Sequence, residues 1–282
     1  MSAIRQWCFF AVYYLLPVLP ASVDSVICFL EFMSRTSGYG HLKHLLSSLK
    51  FLHLSLGYNF PEGNFKIDMT MQGLKRKLAC VPLQVLPISP TVLRNMYKFL
   101  DMSKPEDLAL WCAFLVSFYG LLRKSNVVPK TASCDTRKFL VRRNILVNLE
   151  TNMVYIYVGF SKTNQFGAKD LVIPIPGNSD PCLDPVRHLS VLLSRVEGEP
   201  SSPAFKFGTS KFISYSTFTT RLKRLLTLAG YDARLYSGHS FRRGGATFLH
   251  ACGGTALMVK ASEDWSSDCF TRYLFFISFR EA

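Results

Sequence analysis

The hydrophobic pattern of this sequence confines β-strand to one short region and predicts helix almost everywhere else. Residues 139–149, 153–160 and 171–175 are rich in Val, Ile, Leu and Tyr and are separated by polar turns. Apolar residues elsewhere recur at helical spacing, as in the leucine repeat of residues 42–52. So few strands can form only a small sheet, and we predict a mainly α protein with a small antiparallel β-sheet (α+β).

The sequence divides at a segment that contains three prolines. Residues 1–81 are predicted to form helices only, whereas residues 91–282 carry the strand cluster flanked by helices. The intervening residues 82–90 contain the prolines and are typical of a linker. We therefore predict two domains joined by a short linker.

The predicted helices follow apolar periodicity and terminal signals. They cover residues 7–16, 22–33, 39–57, 65–78, 105–122, 184–196, 215–229, 240–251 and 267–276. The helix of residues 105–122 has a clear start, because Pro105 suits a first turn and Glu106 and Asp107 favour the positive end of the helix dipole.

The apolar run of residues 7–16 has two interpretations. It follows Arg5 and ends near Pro17, as a signal peptide would. It is short for a membrane span, and Tyr13 and Tyr14 dilute its apolar character. We favour a buried first helix and keep the signal peptide as the alternative.

The charge balance indicates an anionic partner. The chain has 33 Lys and Arg against 19 acidic residues, a net charge of +14, which suits nucleic acid or an anionic membrane surface. The eight cysteines form no CxxC pair and no Cys/His cluster with zinc spacing, which favours a reducing compartment without structural disulfides. No P-loop or carboxylate metal cluster is visible, so we expect no cofactor.

The stretch SGHSFRRGGAT at residues 237–247 is the strongest candidate for a phosphate site. At the start of a helix, His239 and Arg242 would share a face where N–H groups and the dipole favour an anion. The guanidinium fork of arginine matches phosphate oxygens. Gly244 and Gly245 weaken a helix but permit close backbone approach. When it occurs alone, such a pattern more often forms an ordinary capped helix, in which the histidine has hydrogen-bond partners and the arginine lies at the surface.

Four further residues lie around this motif in a definite order. Arg123 closes an apolar helix, and Lys162 stands at the tip of a predicted hairpin. Trp265 and Tyr273 follow the motif, eight residues apart. Each has an ordinary interpretation when taken alone: a helix-end charge, a solvated lysine, a core tryptophan and a packed tyrosine.

Taken together in this order, these residues resemble the tyrosine recombinases, and they look closest to those of Crypton and DIRS-like mobile elements in eukaryotes. The motifs that carry the resemblance are FYGLLRKSN at 118–126, GHSFRRGGA at 238–246 and DWSSD at 264–268. The resemblance covers nearly the whole chain. It implies that residues 1–81 form a helical core-binding domain that grips DNA and that residues 91–282 form the catalytic domain.

The resemblance also implies the chemistry. Tyr273 would attack a DNA phosphodiester, which gives a phosphotyrosyl link and a 5′-hydroxyl. Arg123 and Arg242 would hold the non-bridging oxygens, where charge grows in the transition state. Lys162 would donate a proton to the leaving 5′-oxygen. Because the covalent link conserves the bond energy, the reaction needs neither ATP nor metal.

Two more catalytic positions and a set of DNA contacts follow from the same resemblance. His239 would assist proton transfer, and Trp265 would orient the phosphate through its indole N–H. The candidates for DNA contact are Lys75, Arg76, Lys77 and Arg243. The implied partners are double-stranded DNA and further copies of the chain in a tetrameric synapse, with no membrane. The implied location is the nucleus of a eukaryotic host, or otherwise the cytoplasm or nucleoid.

Three departures from the family pattern keep alternatives open. Asn126 stands where many bacterial members have Glu, and the gap from Trp265 to Tyr273 is eight residues rather than nine. Glu263 brings a carboxylate close to the phosphate site, where it would repel the phosphate. The alternatives are a DNA-binding protein that has lost catalysis and a type IB topoisomerase, which shares the catalytic set.

Overall fold

A computed structural model describes residues 2–79, 85–131, 135–159 and 171–254. The chain forms two compact units, Met1–Pro82 and Leu83–Ala282. The described residues are mainly helical with one small antiparallel sheet, which confirms the predicted fold class. The helix predicted for residues 267–276 lies outside the described residues.

Four helices make up the described part of the first unit. They are α1 (Ala3–Tyr13), α2 (Val23–Ser34), α3 (Tyr39–Ser55) and α4 (Phe65–Lys77). The side chains of Ser2, Ser22 and Asn64 cap α1, α2 and α4 by accepting a backbone N–H of the first turn. The apolar faces of the four helices share one core, in which Trp7 of α1 and Phe29 of α2 are almost fully buried.

The second unit is built around one long buried helix. Its helices are α5 (Pro90–Tyr97), α6 (Pro105–Tyr119), α7 (Lys124–Val127), α8 (Pro185–Arg195), α9 (Tyr215–Leu228) and α10 (His239–Ala251). Every residue of α6 from Asp107 to Phe118 is buried. A helix that is apolar on all sides belongs at the centre of a core, and α8 and α10 pack against it. Among the described residues, no helix is both long enough and apolar enough to traverse a bilayer.

The sheet has three antiparallel strands in the order β1-β2-β3. They are β1 (Ile145–Asn148), β2 (Met153–Val158) and β3 (Leu171–Pro176). Ile156 of β2 lies opposite Ile145 of β1 and Ile173 of β3, and all three side chains are buried. α8 packs against all three strands, so one face of the sheet is covered.

The first strand is shorter than the sequence predicts. Residues 139–149 were expected to form one strand, but only Ile145–Asn148 pair with β2. A 3-10 turn at Arg142–Asn144 interrupts the segment, because the Asn144 side chain accepts the N–H of Val141 at 2.9 Å. Before this turn the chain pairs elsewhere, and Leu140 accepts the N–H of Ala204 at 3.0 Å.

Part of the predicted linker runs along the start of α10. The N–H of Leu86 donates to Leu235 O at 2.7 Å, and the N–H of Ile88 donates to Ser240 O at 3.0 Å. Ile88 is fully buried. These residues therefore pack as part of the second unit.

Candidate active site

Arg123 stands at a sharp turn that follows α6. The sequence predicts that this helix continues to Leu122, but it ends at Tyr119 because the chain reverses through Leu121, whose φ is +54°. Arg123 itself is extended and its carbonyl accepts the N–H of Asn126 at 2.8 Å, which starts α7. Its side chain is half-buried, and it belongs to none of the ion pairs in the part of the chain that the structure describes.

The SGHSFRR motif forms the start of α10, and its members have different local surroundings. Ser240 is buried and accepts the N–H of Ser237 at 3.0 Å, which tightens the turn before the helix. Phe241 is fully buried, with its ring centroid 4.8 Å from that of Phe114 in α6 and 5.4 Å from that of Phe218 in α9. This aromatic anchor fixes the rotation of α10, so that Arg242 is 6% exposed and His239 stays at the surface.

The two glycines that follow the arginines allow α10 to approach its neighbours closely. A Cβ on Gly244 would overlap the carbonyl oxygen of Ile88, and one on Gly245 would overlap that of Phe118. The sequence predicts that the backbone comes close to another group here, and in the structure that group is the backbone of the same chain, at Ile88 and Phe118. The glycines therefore hold the start of α10 against the end of α6, where the turn to Arg123 begins.

Three cations surround His239. The pKa of its imidazole lies below the ordinary value, first because partial burial of the ring disfavours the charged form and then because Arg242, Arg123 and Lys124 repel a further positive charge. The ring is therefore predominantly neutral at pH 7 and can exchange a proton. A surface with two guanidiniums and an ammonium beside a neutral imidazole suits an anion such as phosphate.

The remaining predicted catalytic residues lie outside the described residues. These are Lys162, Trp265 and Tyr273. The structure thus brings together Arg123, His239 and Arg242, three of the six residues that the sequence predicts.

The predicted DNA contacts divide into two groups. Lys75, Arg76 and Lys77 are exposed on the last turn of α4 in the first unit, where cations are favourable beside the helix carbonyls. Arg243 is half-buried, and its Nη1 donates to the carbonyl of Val85. Arg243 therefore ties the segment before α5 to α10, a contact that the sequence pattern does not indicate.

Two lysines that the sequence analysis did not select contribute to this region. Lys124 follows Arg123, and its side chain crosses to the turn before α10. Lys223 of α9 donates to the carbonyls of Ala233 and Tyr236, which fixes the 3-10 turn ahead of the motif. No local signal marks either residue, because each contact joins segments that are distant in sequence. No group of three or more His, Cys, Asp or Glu side chains within the described ranges could hold a metal ion.

Comparison with known proteins finds a relative by sequence and several solved structures with the same fold. No family model matches the chain. An integrase/recombinase XerD homolog from Selenomonas ruminantium is 22% identical over 255 residues, which cover 87% of this chain and 70% of the relative.

Solved structures share the fold at low sequence identity. The Tn1549 transposon integrase in complex with circular intermediate DNA has a TM-score of 0.58 at 12% identity, over 98% of this chain and 94% of that one. A lambda integrase dimer bound to a COC′ core site has a TM-score of 0.60 at 13% identity, over 99% of this chain and 72% of that one. The chain therefore shares the fold of these integrases and is similar in sequence to a XerD-type recombinase homolog.

Proposed function

We propose that this chain is a site-specific DNA recombinase or integrase that cleaves and rejoins double-stranded DNA through a 3′-phosphotyrosyl intermediate. The observation that carries the proposal is that Arg123, ahead of α7, lies close enough to His239 and Arg242 at the start of α10 to lower the pKa of the histidine. The relatives support the same conclusion, since they are named as integrases and recombinases and two of the structures contain DNA.

The proposed reaction balances without a cofactor. The Tyr273 hydroxyl oxygen forms a bond to phosphorus as the bond from phosphorus to the 5′-oxygen breaks. The tyrosine proton passes to a base, and neutral His239 suits this role, while Lys162 gives a proton to the departing 5′-oxygen. Arg123 and Arg242 stabilise the non-bridging oxygens as their charge grows. Trp265 orients the same phosphate.

Further parts of the proposal rest on the resemblance. The first unit acts as a core-binding domain that contacts DNA through Lys75, Arg76 and Lys77, and the exposed edge of Arg243 adds a contact in the second unit. Several copies assemble on two DNA sites, as a tetrameric synapse. The chain is encoded by a mobile element close to the Crypton and DIRS-like elements and acts in the nucleus of its host.

A covalent trap tests the function directly. The protein is incubated with nicked duplexes drawn from the repeats that flank its coding region, so that cleavage releases a short strand and cannot be reversed. We expect a protein–DNA adduct that survives denaturation. Tyr273→Phe should abolish the adduct, whereas Tyr13→Phe, at an exposed position of α1, should leave it unchanged.

The other outcomes separate the alternatives. Specific DNA binding without any adduct would favour a DNA-binding protein that has lost catalysis, and the carboxylate of Glu263, two residues before Trp265 in the sequence, would be the candidate cause. Relaxation of supercoiled plasmid by the monomer, without site preference, would favour a type IB topoisomerase. An adduct that persists in Tyr273→Phe would refute the assignment of the nucleophile.

A further inference from the structure

The side chain of Lys124 is fixed at both ends, although a lysine at the surface is usually mobile. Its Nζ lies 3.5 Å from the centroid of the Tyr215 ring and donates to Thr219 Oγ1 at 2.5 Å. Both partners belong to α9. A cation over an aromatic face is attracted by the ring quadrupole, and the hydroxyl supplies an acceptor, so the ammonium has a defined position.

The middle of the same side chain lies against the turn that precedes α10. A Cβ built on Gly238 would be 3.1 Å from the Cβ, Cδ and Cε atoms of Lys124. This distance is shorter than a normal contact between carbon atoms, so a side chain at this position would require the stem of Lys124 to shift by a few tenths of an ångström. Gly238 has ordinary right-handed helical dihedral angles, and its requirement is therefore for space rather than for backbone freedom.

The contact joins the two segments that carry the site. Lys124 follows Arg123 in the chain, and Gly238 precedes His239. We propose that Lys124 is a positioning residue for the phosphate site, because its side chain, held by Tyr215 and Thr219, sets the spacing between Arg123 and His239. This inference rests on the proposed function only where it concerns the rate of catalysis. The contact of Lys124 with Gly238 and its effect on His239 can be tested without DNA.

The charge of Lys124 supports the same assignment. The groups that lower the pKa of His239 are Arg242 on its own helix and Arg123 and Lys124 from the facing segment, in addition to burial. Removal of the Lys124 charge, with its stem kept, should therefore move the titration midpoint of His239 upward. A lysine that merely covers the surface of α9 would have no such effect.

The first experiment measures the titration of His239 by NMR in the full chain without DNA. Lys124→Met should raise the midpoint, and Lys124→Arg should leave it close to that of the unmodified protein, because the cation is retained. Lys98→Met, which removes an exposed cation at the end of α5, is the matched control and should cause no shift. An equal midpoint in Lys124→Met and the unmodified protein would overturn the inference.

The second experiment is a double-mutant cycle that tests the contact. Gly238→Ala should lower the melting temperature, because the new methyl group meets a side chain that is fixed at both ends. In the Lys124→Ala background the same substitution should have a clearly smaller effect, because the contacts with Cδ and Cε are removed and only the contact with Cβ remains. Equal effects in both backgrounds would overturn the inference, and this readout remains available if Lys124→Met fails to fold.

The third readout concerns catalysis. On a DNA site that gives the covalent adduct, Lys124→Met should slow adduct formation on the order of tenfold, as expected for misplaced reacting groups. Lys124→Arg should restore most of the rate, and Lys98→Met should leave it unchanged. Absence of an adduct with the unmodified protein would count against the proposed function, while the titration and the cycle would still decide the role of Lys124.

Discussion

Arg242 is buried more deeply than the other charged residues at the start of α10, with 6% of its surface exposed. A buried guanidinium can hold two phosphate oxygens at once, whereas an ammonium in the same place acts as a point charge. We therefore predict that Arg242→Lys slows formation of the covalent adduct by about 10²- to 10³-fold. The measurement is single-turnover cleavage of the nicked duplex.

The control for this prediction is Arg234→Lys. Arg234 is exposed and pairs with Asp232, two residues earlier, and the same chemical change there should leave the rate unchanged. Thermal unfolding of both variants shows whether the fold persists. An adduct rate in a folded Arg242→Lys variant that equals the unmodified rate would remove Arg242 from the proposed mechanism.

His188 supplies a prediction about pH. It is buried on α8, and its Nε2–H donates to the carbonyl oxygen of Pro181 at 3.1 Å. Burial lowers its pKa in the folded protein, so the unfolded chain takes up this proton first as the pH falls. The stability of the second unit should therefore decline from about pH 6.5 downward, with a slope of at most about 1.4 kcal/mol per pH unit from this group.

The test compares His188→Gln with the unmodified protein by urea unfolding between pH 7.5 and 5.5. Gln keeps an N–H donor and does not titrate, so the variant should lose less stability over this interval. The same substitution at His44, which is exposed on α3, serves as the control. Parallel pH dependences in the His188 variant and the unmodified protein would show that the histidine is not the source.

At the residue scale, the sequence motifs select candidate site residues but do not indicate which side chains lie beside them. The order of Arg123, His239 and Arg242 in the chain sufficed to select them, and the structure brings them together. The contact between Lys124 and Gly238 could not be predicted, because helical spacing identifies residues that share a face but not residues that meet across segments. The resemblance predicts Arg243 as a DNA contact, and it gives no indication that Arg243 also donates a hydrogen bond to the carbonyl of Val85.

At the scale of the elements, α10 depends on two glycines in its interior. An alanine normally stabilises a helix interior by about 1 kcal/mol relative to glycine. Gly244→Ala and Gly245→Ala should have the opposite effect, because each new methyl group would overlap a backbone carbonyl that cannot rotate away. We expect a loss of about 2–4 kcal/mol in the free energy of unfolding for each variant.

Gly73 provides the matched control, since it lies inside α4 and has no atom within 4 Å of its Cβ position. Gly73→Ala should therefore stabilise the first unit by about 0.5–1 kcal/mol. Denaturant unfolding followed by far-UV circular dichroism measures all three variants. A stabilising effect of Gly244→Ala would mean that α10 does not pack as closely on Ile88 as the structure indicates.

The elements themselves were largely predictable, and the errors have local causes. The predicted helices within the described residues agree with the observed ones to within four residues, because each buries one continuous face or, for residues 107–118 of α6, all sides. The short helices α5 and α7 were not predicted. α6 ends early, with Gly120 as its C-cap and Leu121 in a left-handed conformation that leucine seldom adopts. The glycine is a signal for the end of a helix, but the prediction followed the apolar run to Leu122 instead. The strand expected for residues 139–149 was shortened by a side-chain hydrogen bond from Val141 N–H to Asn144, which periodicity does not detect.

At the scale of the whole molecule, the net charge is divided unequally. Residues 1–82 carry eight basic and four acidic residues, and the remaining residues carry 25 and 15, so the two units have charges of +4 and +10. In the first unit, three of the eight basic residues are consecutive on the last turn of α4. This cluster is the longest run of consecutive basic residues in that unit, and we predict that it contacts DNA phosphates.

Lys75, Arg76 and Lys77 are exposed, and a phosphate that each contacts in a DNA complex would release condensed counterions. Replacement of all three by glutamine should therefore lower the slope of log Kd against log salt concentration by about 2–3. Fluorescence anisotropy with a labelled duplex at several salt concentrations measures this slope.

Three exposed cations elsewhere in the same unit provide a control with the same change in net charge: Arg5, Arg35 and Lys43. Their replacement should weaken binding less and change the slope by less than one, because general attraction is screened whereas direct contacts release ions. Equal slopes for the two triple variants would show that the α4 cluster makes no direct contact, and the proposed binding of DNA by the first unit would then need another surface.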